Sequence, residues 1–256
     1  MATMIKIFRG IRQRMISEGK SKKYLLYAIG EIILVVIGIL IALQINNWNE
    51  TRKQRTTEKV YIENIKTDLS LNLKSLNNYI ALRNETIESV ELILEFFNNK
   101  RPLDLNEFNR HCLTVMAWHP FENNDNTYQE LMNSGKFSIL TNKSMKDSLQ
   151  NLQTNLNSIR FIESEMEEDY ERYLYEPFFA IIDLDTSLKN LKSQFKNAES
   201  IPKMNREEVE MLLKNRTFKN GFVLAGYNSN GLIEEYENMI NTTNQLYQLI
   251  DKDLDQ

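Results

Sequence analysis

The chain of 256 residues has little of what catalytic and metal sites are usually built from. It contains one Cys, two His, eight Gly and four Pro. A single Cys cannot form an intramolecular disulfide, and two His with one Cys leave few ligands for a metal centre. The sequence also lacks a Gly-rich phosphate loop, a G-x-S-x-G nucleophile motif and an H-E-x-x-H zinc motif. We therefore expect no enzyme, and no catalytic residue, metal or cofactor.

The basic residues are concentrated at the N-terminus. Residues 1–23 include seven basic residues and one acidic residue, a net charge of +6. The other 233 residues have 24 basic and 34 acidic residues, a net charge of -10. The overall net charge of -4 hides this division of the chain into a basic leader and an acidic remainder.

A long apolar run follows the basic leader. Residues 24–45 read YLLYAIGEIILVVIGILIALQI. As an α-helix they would span about 33 Å, close to the roughly 30 Å of bilayer hydrocarbon. Tyr24, Tyr27 and Trp48 flank the run, as aromatic residues do at membrane interfaces. The run has no polar stripe and no small-residue cleavage site after it, so we predict an uncleaved transmembrane helix at residues 24–48.

The charge bias predicts the orientation of this helix. Lys and Arg are retained on the cytoplasmic side, which favours a cytoplasmic leader of residues 1–23. The leader could lie on lipid headgroups as a basic amphipathic helix, or it could be a plain tether, and we predict no nucleic-acid binding for it. The basic residues predicted at the membrane surface are Lys6, Arg9, Arg12 and Arg14.

An acidic residue within the apolar run predicts contact with a partner helix. Helical spacing places Glu31, Val35, Gly38 and Ala42 on one face, and the small residues at positions 38 and 42 allow close helix approach. A carboxylate facing lipid would cost several kcal/mol. We expect either a homo-oligomer in which Glu31 is packed between helices, or an ion channel with Glu31 facing its lumen.

Three later segments have heptad spacing and predict long helices. The first comprises Leu69, Leu73, Leu76, Ile80, Arg83, Ile87, Val90, Leu94 and Phe97. The second comprises Met145, Leu149, Leu152, Leu156, Ile159, Glu163, Met166, Tyr170 and Tyr173, with Pro177 predicted to end it. The third comprises Phe222, Gly226, Ser229, Ile233, Tyr236, Ile240, Thr243, Tyr247, Ile250 and Leu254. We predict an all-α fold in which residues 49–256 form one up-and-down helical bundle, although the seams could also pair between chains.

Shorter helices and chain breaks lie between these segments. We predict helices at 104–118, 126–134, 186–198 and 205–215, with Asn205 and Glu208 forming an N-terminal cap. Breaks are expected at Pro102, Pro120, Gly135, Pro202 and near Gly221. No Gly or Pro occurs between Ile39 and Lys100, so the apolar helix should continue into the domain.

Two other groups of residues contain side-chain types that occur in binding or metal sites. Trp118, Phe121, Tyr128 and Phe137 flank a predicted chain corner, where they form either part of the core or a crevice for a partner or ligand. His111, Cys112, His119 and Glu122 lack the paired spacing of a metal motif.

Two stretches of the chain resemble a known family. IGEIILVVIGILIALQINNWNE at residues 29–50 and TYQELMNSGKFSILTNKSMKDSL at residues 127–149 are similar to an uncharacterised bacterial family of small single-pass membrane proteins. That family occurs in many copies in flavobacterium-type genomes and is known only as a domain of unknown function. The resemblance implies an inner-membrane anchor and a periplasmic helical domain, and it implies no activity.

These observations favour a non-enzymatic, membrane-anchored interaction or scaffold module in the bacterial inner membrane. We expect it to form a homo-oligomer and to bind another envelope protein. The alternatives are the channel described above and a ligand-binding, sensor-like bundle that works with a separate signalling partner. A roomy internal cavity would favour the sensor.

Overall fold

A computed structural model describes residues 21–185 and 204–255 of the chain. The basic residues of the leader, Lys6, Arg9, Arg12 and Arg14, lie outside the described residues. The same is true of the predicted helix at 186–198 and the predicted break at Pro202.

The described residues are almost entirely helical and contain no β-strand, which confirms the all-α prediction. The elements in chain order are α1 (Ser21–Phe97), α2 (Leu105–Met116), α3 (Asn126–Asn133), a 3₁₀ turn (Lys136–Ile139), α4 (Lys143–Asp169), a π-turn (Tyr170–Tyr175), α5 (Glu176–Phe179), α6 (Arg206–Leu213) and α7 (Arg216–Leu254). The predicted continuation of the apolar helix into the domain is confirmed, because α1 is unbroken over 77 residues.

The chain divides into two compact units, one ending at Lys59 and the other beginning at Val60, and α1 belongs to both. In the first unit, the apolar side chains of α1 are exposed on every face of the helix, and Leu34 is 73% exposed. Its most apolar 18-residue window has a mean hydropathy of 2.7 and no buried residue. Among the described residues, α1 alone is long and apolar enough to cross a membrane.

The second unit has a continuous core that includes residues of all three predicted seams. On α7 the predicted members Ile233, Ile240 and Tyr247 are only half-buried, and the neighbouring Leu232, Met239 and Leu246 are buried instead. Every predicted residue of the α4 seam from Met145 to Tyr170 is buried. On α1 the prediction was right only in part, because the predicted seam members Leu73, Ile80, Ile87, Leu94 and Phe97 are only half-buried. Residues outside the predicted seam, including Ile62, Ile93 and Phe96, are buried instead, so the buried face is wider than the seam. A broad apolar face of this kind is typical of a helix that packs against several neighbours within one domain.

The π-turn shifts the register of the α4 seam by one residue. Tyr173 was predicted to continue the seam, but Leu174 is fully buried in its place. A π-turn adds one residue to the helical repeat, so the buried face moves along by one position. The prediction that Pro177 ends the helix was wrong, because Pro177 lies in the first turn of α5, where a missing N–H is tolerated.

Gly221 does not break the chain as predicted. It lies within α7 and is buried against the π-turn. A Cβ atom at this position would lie 2.6 Å from Leu174 Cδ2 and 2.7 Å from the Tyr173 carbonyl oxygen. The glycine therefore allows a close approach between α7 and the π-turn.

The predicted cap of Asn205 and Glu208 and the predicted break at Gly135 agree with the structure, which also shows a cap at Asn142. Asn205 Oδ1 accepts a hydrogen bond from the Glu208 N–H at 2.9 Å, and Glu208 Oε2 accepts one from the Asn205 N–H at 2.8 Å. Gly135 follows α3 with a φ of 69°, a left-handed conformation that suits glycine. Asn142 caps α4 through a 3.2 Å hydrogen bond from the Met145 N–H.

Candidate functional site

An irregular segment crosses the helices of the second unit and is the most distinctive feature of that unit. We call residues 117–125, which connect α2 to α3, the strap. Side chains of α1 and α4 form hydrogen bonds to its backbone. Arg83 Nη2 donates to the His119 carbonyl oxygen at 2.6 Å, and Tyr79 donates to the Pro120 carbonyl oxygen at 2.6 Å. The Phe121 N–H donates to Glu163 Oε1 at 2.6 Å.

Further hydrogen bonds hold the C-terminal end and the flanks of the strap. Asn72 donates to the Asn124 carbonyl oxygen and accepts from the Asn124 N–H, both at 2.8 Å. Asp68 accepts from the Thr127 N–H at 3.0 Å, and Tyr175 donates to the Met116 carbonyl oxygen at 2.8 Å. An irregular backbone against a core needs such partners, because an unpaired buried N–H or carbonyl group is costly. The helices thus fix the position of the strap.

Arg83 is the largest fully buried side chain of the described residues, with 2% of its surface exposed. Its guanidinium carbon lies 5.8 Å from the centroid of the Trp118 ring, a distance typical of a cation–π contact. No carboxylate oxygen in the described parts of the chain lies within 4 Å of its nitrogens. The positive charge of Arg83 is therefore buried without a direct ion pair.

Glu163 is buried on α4 and lies on the same side of the strap. Burial raises the pKa of its carboxyl group, and the Phe121 N–H and the positive charges of Arg83 and Arg160 offset this rise only in part. Burial thus favours the neutral acid, which can still accept the hydrogen bond from the strap.

Two buried tyrosines complete the surroundings of Arg83. Burial raises the pKa of Tyr236 to about 12, and it raises the pKa of Tyr170 even further. The positive charge of Arg83 lowers the pKa of both phenols, which shows that both lie near it. Both hydroxyl groups stay protonated at neutral pH and can act as hydrogen-bond donors.

The four aromatic residues of the predicted crevice fall into two groups of ring contacts. The Trp118 ring lies 5.5 Å from that of Tyr170, and the buried Phe121 ring lies 5.6 Å from that of Tyr236. The Tyr128 and Phe137 rings pack edge to face at 5.8 Å. Trp118 and Phe121 thus attach the strap to the core, whereas Tyr128 and Phe137 join α3 to the 3₁₀ turn.

The predicted oligomer face lies in the first unit. Glu31, Val35, Gly38 and Ala42 are all in α1 at helical spacing. Val35 is 54% exposed, and a Cβ atom built at Gly38 would meet no atom within 4 Å. In the single chain, the surface around Gly38 is therefore open to another helix.

Two potential nucleophiles, Cys112 and Ser89, are buried. Burial strongly raises the pKa of the Cys112 thiol, and this thiol contacts Met116 Sδ at 3.6 Å. Ser89 Oγ lies 3.0 Å from His111 Nδ1, a pairing that the sequence analysis missed, but Ser89 is buried. No group of three or more His, Cys, Asp and Glu side chains suited to a metal occurs among the described residues.

A small cavity lies beneath the C-terminal end of the strap. Its volume is about 30 Å³, and its walls include Asp68, Asn72, Asn123, Leu149 and Met239. A space of this size suits a water molecule rather than an organic ligand. It therefore does not supply the roomy cavity that a ligand-binding sensor would need.

A family model matches residues 31–210, which is well over half of the chain. The chain belongs to DUF6090, a family of unknown function. No curated protein and no solved structure matches it. The matched range begins at Glu31 in the apolar part of α1 and includes the strap with Arg83 and Glu163. It ends before α7, which contains Tyr236.

Proposed function

We propose that this protein is a non-enzymatic, membrane-anchored interaction module of the bacterial envelope. Its α1 helix would cross the inner membrane with the N-terminus in the cytoplasm, and the helical domain would lie in the periplasm. The observation that most supports this proposal is the window of α1 with mean hydropathy 2.7 and no buried residue. An apolar surface of this extent is stable in lipid and would aggregate in water.

Location and orientation can be tested together. The full-length protein should sediment with membranes and resist extraction by alkaline carbonate. In intact spheroplasts, a protease added from outside should digest the second unit, whereas an N-terminal epitope tag should stay protected. Recovery in the soluble fraction, or digestion only after the inner membrane is opened, would contradict the proposal.

We further propose that the protein forms a homo-oligomer through the helix face of Glu31, Val35, Gly38 and Ala42. Small residues allow two helix backbones to approach closely, and the surface around Gly38 is open. Native Cys112 is buried and should not react. In native membranes, Gly38→Cys should form a disulfide-linked dimer.

Leu40→Cys is the matched control, because two residues along a helix turn the side chain by about 200°. It should remain largely monomeric under the same oxidation. Equal crosslinking at both positions would show random collision instead of a defined face.

The strap is the proposed surface for an envelope protein partner. The His119 carbonyl oxygen and the Phe121 N–H of the strap form hydrogen bonds to side chains of α1 and α4. His119, Pro120 and Glu122 are exposed to solvent. A rigid loop on a helical scaffold is a common arrangement for recognition. A photo-crosslinking amino acid at position 119 should capture the same protein in repeated experiments, whereas one at Gln150, also exposed, should not. Identical products at both positions would argue against the strap as the contact surface.

A further inference from the structure

An open groove lies where the C-terminal end of α1 meets the turn between α6 and α7. We call it the basic groove, and its walls include Phe96, Lys100, Arg101, Pro102, Leu103 and Leu213. Its volume is about 400 Å³, within the range of roughly 300–1,000 Å³ that is typical of ligand sites. It lies at the surface of the second unit, unlike the small cavity beneath the strap.

The end of α1 fixes the backbone on one side of the groove. The Lys100 N–H donates to the Glu95 carbonyl oxygen at 2.9 Å, and the Asn99 N–H donates to the Phe96 carbonyl oxygen at 3.1 Å. Asn99 has a φ of 52°, the left-handed conformation in which many helices end. Asparagine adopts this conformation more readily than most other residues. These two hydrogen bonds hold Lys100 at the edge of the groove.

Arg101 forms a rigid part of the groove wall. Its Nη1 lies 2.8 Å from Glu107 Oε1, and its Nε lies 3.4 Å from Glu95 Oε2. Its guanidinium carbon lies 5.6 Å from the centroid of the Phe96 ring. Since two carboxylates already balance its charge, Arg101 shapes the groove and leaves ligand charge to other residues.

Three other basic residues at the groove have unpaired positive charges. Lys100, Lys214 and Arg216 are exposed. Within residues 21–185 and 204–255, no carboxylate oxygen lies within 4 Å of their nitrogens. Lys214 directly follows the wall residue Leu213, and Arg216 begins α7. The N-terminal end of a helix adds a partial positive charge.

The charge of this region is opposite to that of the chain around it. Lys219 Nζ donates to Asn98 Oδ1 at 2.7 Å, so the first turn of α7 lies beside the end of α1. Residues 96–103 and 211–222 contain five basic residues and no acidic residue. Residues 24–256 as a whole have a net charge of -10. A local excess of positive charge attracts anionic partners to that part of the surface.

We propose that the basic groove binds an acidic segment of another envelope protein, and that this segment also contributes an apolar side chain. The apolar side chain would lie between Leu103 and Leu213, and the carboxylates would pair with Lys100, Lys214 and Arg216. This proposal rests on the proposed interaction function. The groove is separate from the strap, so either surface can fail its test while the other passes.

A synthetic peptide tests the chemistry of the groove. The probe is a fluorescein-labelled peptide in which one Leu is flanked on both sides by Glu, and fluorescence anisotropy reports its binding to the full-length protein in non-ionic detergent. Binding should be saturable and should weaken as salt is added. Replacing the Leu of the peptide by Ser should weaken binding about tenfold, because less apolar surface is buried. A peptide with Gln in place of every Glu should not bind.

Charge reversals distinguish a defined site from general attraction. The double variant Lys100→Glu and Lys214→Glu should abolish saturable binding. The double variant Lys74→Glu and Lys143→Glu is the matched control, because these lysines are also exposed and the net charge changes equally. It should bind the peptide within about twofold of wild type. Far-UV circular dichroism should show that both variants are folded. Equal losses in the two variants, or equal binding of the Leu and Ser peptides, would overturn the proposal.

Crosslinking in intact cells tests the partner. Pro102 is an exposed wall residue, and a photo-crosslinking amino acid at this position of the full-length protein should form an adduct with another protein. Peptide mapping should locate the crosslink in a segment rich in Asp and Glu. An adduct of two copies of this chain, an adduct with lipid, or no adduct with an acidic segment would overturn the proposal. Capture at position 119 would be unaffected by any of these results.

Discussion

Arg83 and Glu163 lie on different helices but bind backbone groups only two residues apart, at His119 and Phe121. Each is the charged member of an otherwise apolar seam, on α1 and on α4. The charged residue that interrupts each heptad pattern therefore has the same role, because both side chains bind the backbone of the strap. This relationship leads to the first two predictions.

Replacing Arg83 should destabilise the second unit. Arg83→Met keeps most of the side-chain volume but loses the hydrogen bond to His119 and the contact with Trp118. We expect a loss of about 2–4 kcal/mol in urea unfolding of the full-length protein in detergent, followed by far-UV circular dichroism. Arg83→Lys keeps the charge and should lose less. A Met variant as stable as wild type would show that Arg83 does not fix the strap.

Replacing Glu163 by Gln should change how stability depends on pH. Burial raises the pKa of Glu163 in the folded protein, so the folded state holds this proton more tightly than the unfolded state. Its contribution to stability is therefore greatest below its ordinary pKa of 4.5 and falls as the pH rises through the folded value.

Glu163→Gln keeps an acceptor for the Phe121 N–H and removes this titration. Its melting temperature relative to wild type should rise as the pH increases from 4 to 7. Glu163→Ala, which leaves the Phe121 N–H without a partner, should be less stable than Gln at every pH. A constant difference between Gln and wild type would contradict the raised pKa.

The close approach at Gly221 predicts a clear steric effect. In Gly221→Ala the new methyl group would meet Leu174 Cδ2 and the Tyr173 carbonyl oxygen at under 3 Å. The backbone oxygen cannot rotate away, so we expect a loss of about 2 kcal/mol or more in urea unfolding. Gly231→Ala is the control on the same helix, where the nearest atom would be Ile162 Cδ1 at 3.8 Å. It should be neutral or stabilise by up to about 1 kcal/mol.

Asn72 should matter more than another asparagine of α1. Asn72→Ala leaves both the N–H and the carbonyl group of Asn124 without their partner. We expect a loss of about 1–3 kcal/mol and faster hydrogen exchange at the strap amides. Asn77 donates only to the Leu73 carbonyl oxygen within its own helix and is exposed, so Asn77→Ala should change stability by about 0.5 kcal/mol or less. Equal effects of the two substitutions would contradict a specific role of Asn72.

Local and periodic signals in the sequence predicted much of the fold. The α4 seam, the unbroken α1 helix and the capping box of Asn205 and Glu208 all depend on residues close together in the chain. The wider buried face of α1 could not be predicted from the sequence of α1 alone. Which of its polar side chains become buried depends on the segments packed against it.

The π-turn and the strap could not be predicted for different reasons. No residue of YERYLY marks a register shift, and the close approach of Gly221 to Leu174 became visible only in the structure. The hydrogen bonds to the strap join residues far apart in sequence. Arg83 and Glu163 nevertheless indicated that a polar segment packs against the two seams, because a charged residue within an apolar seam needs a specific partner.

The hydrogen bonds that hold the strap constrain the residues of the helices more than the side chains of the strap itself. Asn72, Tyr79, Arg83 and Glu163 bind backbone atoms, so they place no demand on the identity of most strap side chains. Surface positions such as His119 and Glu122 can therefore mutate with little effect on folding. The scaffold that holds the strap is therefore compatible with many different exposed strap sequences.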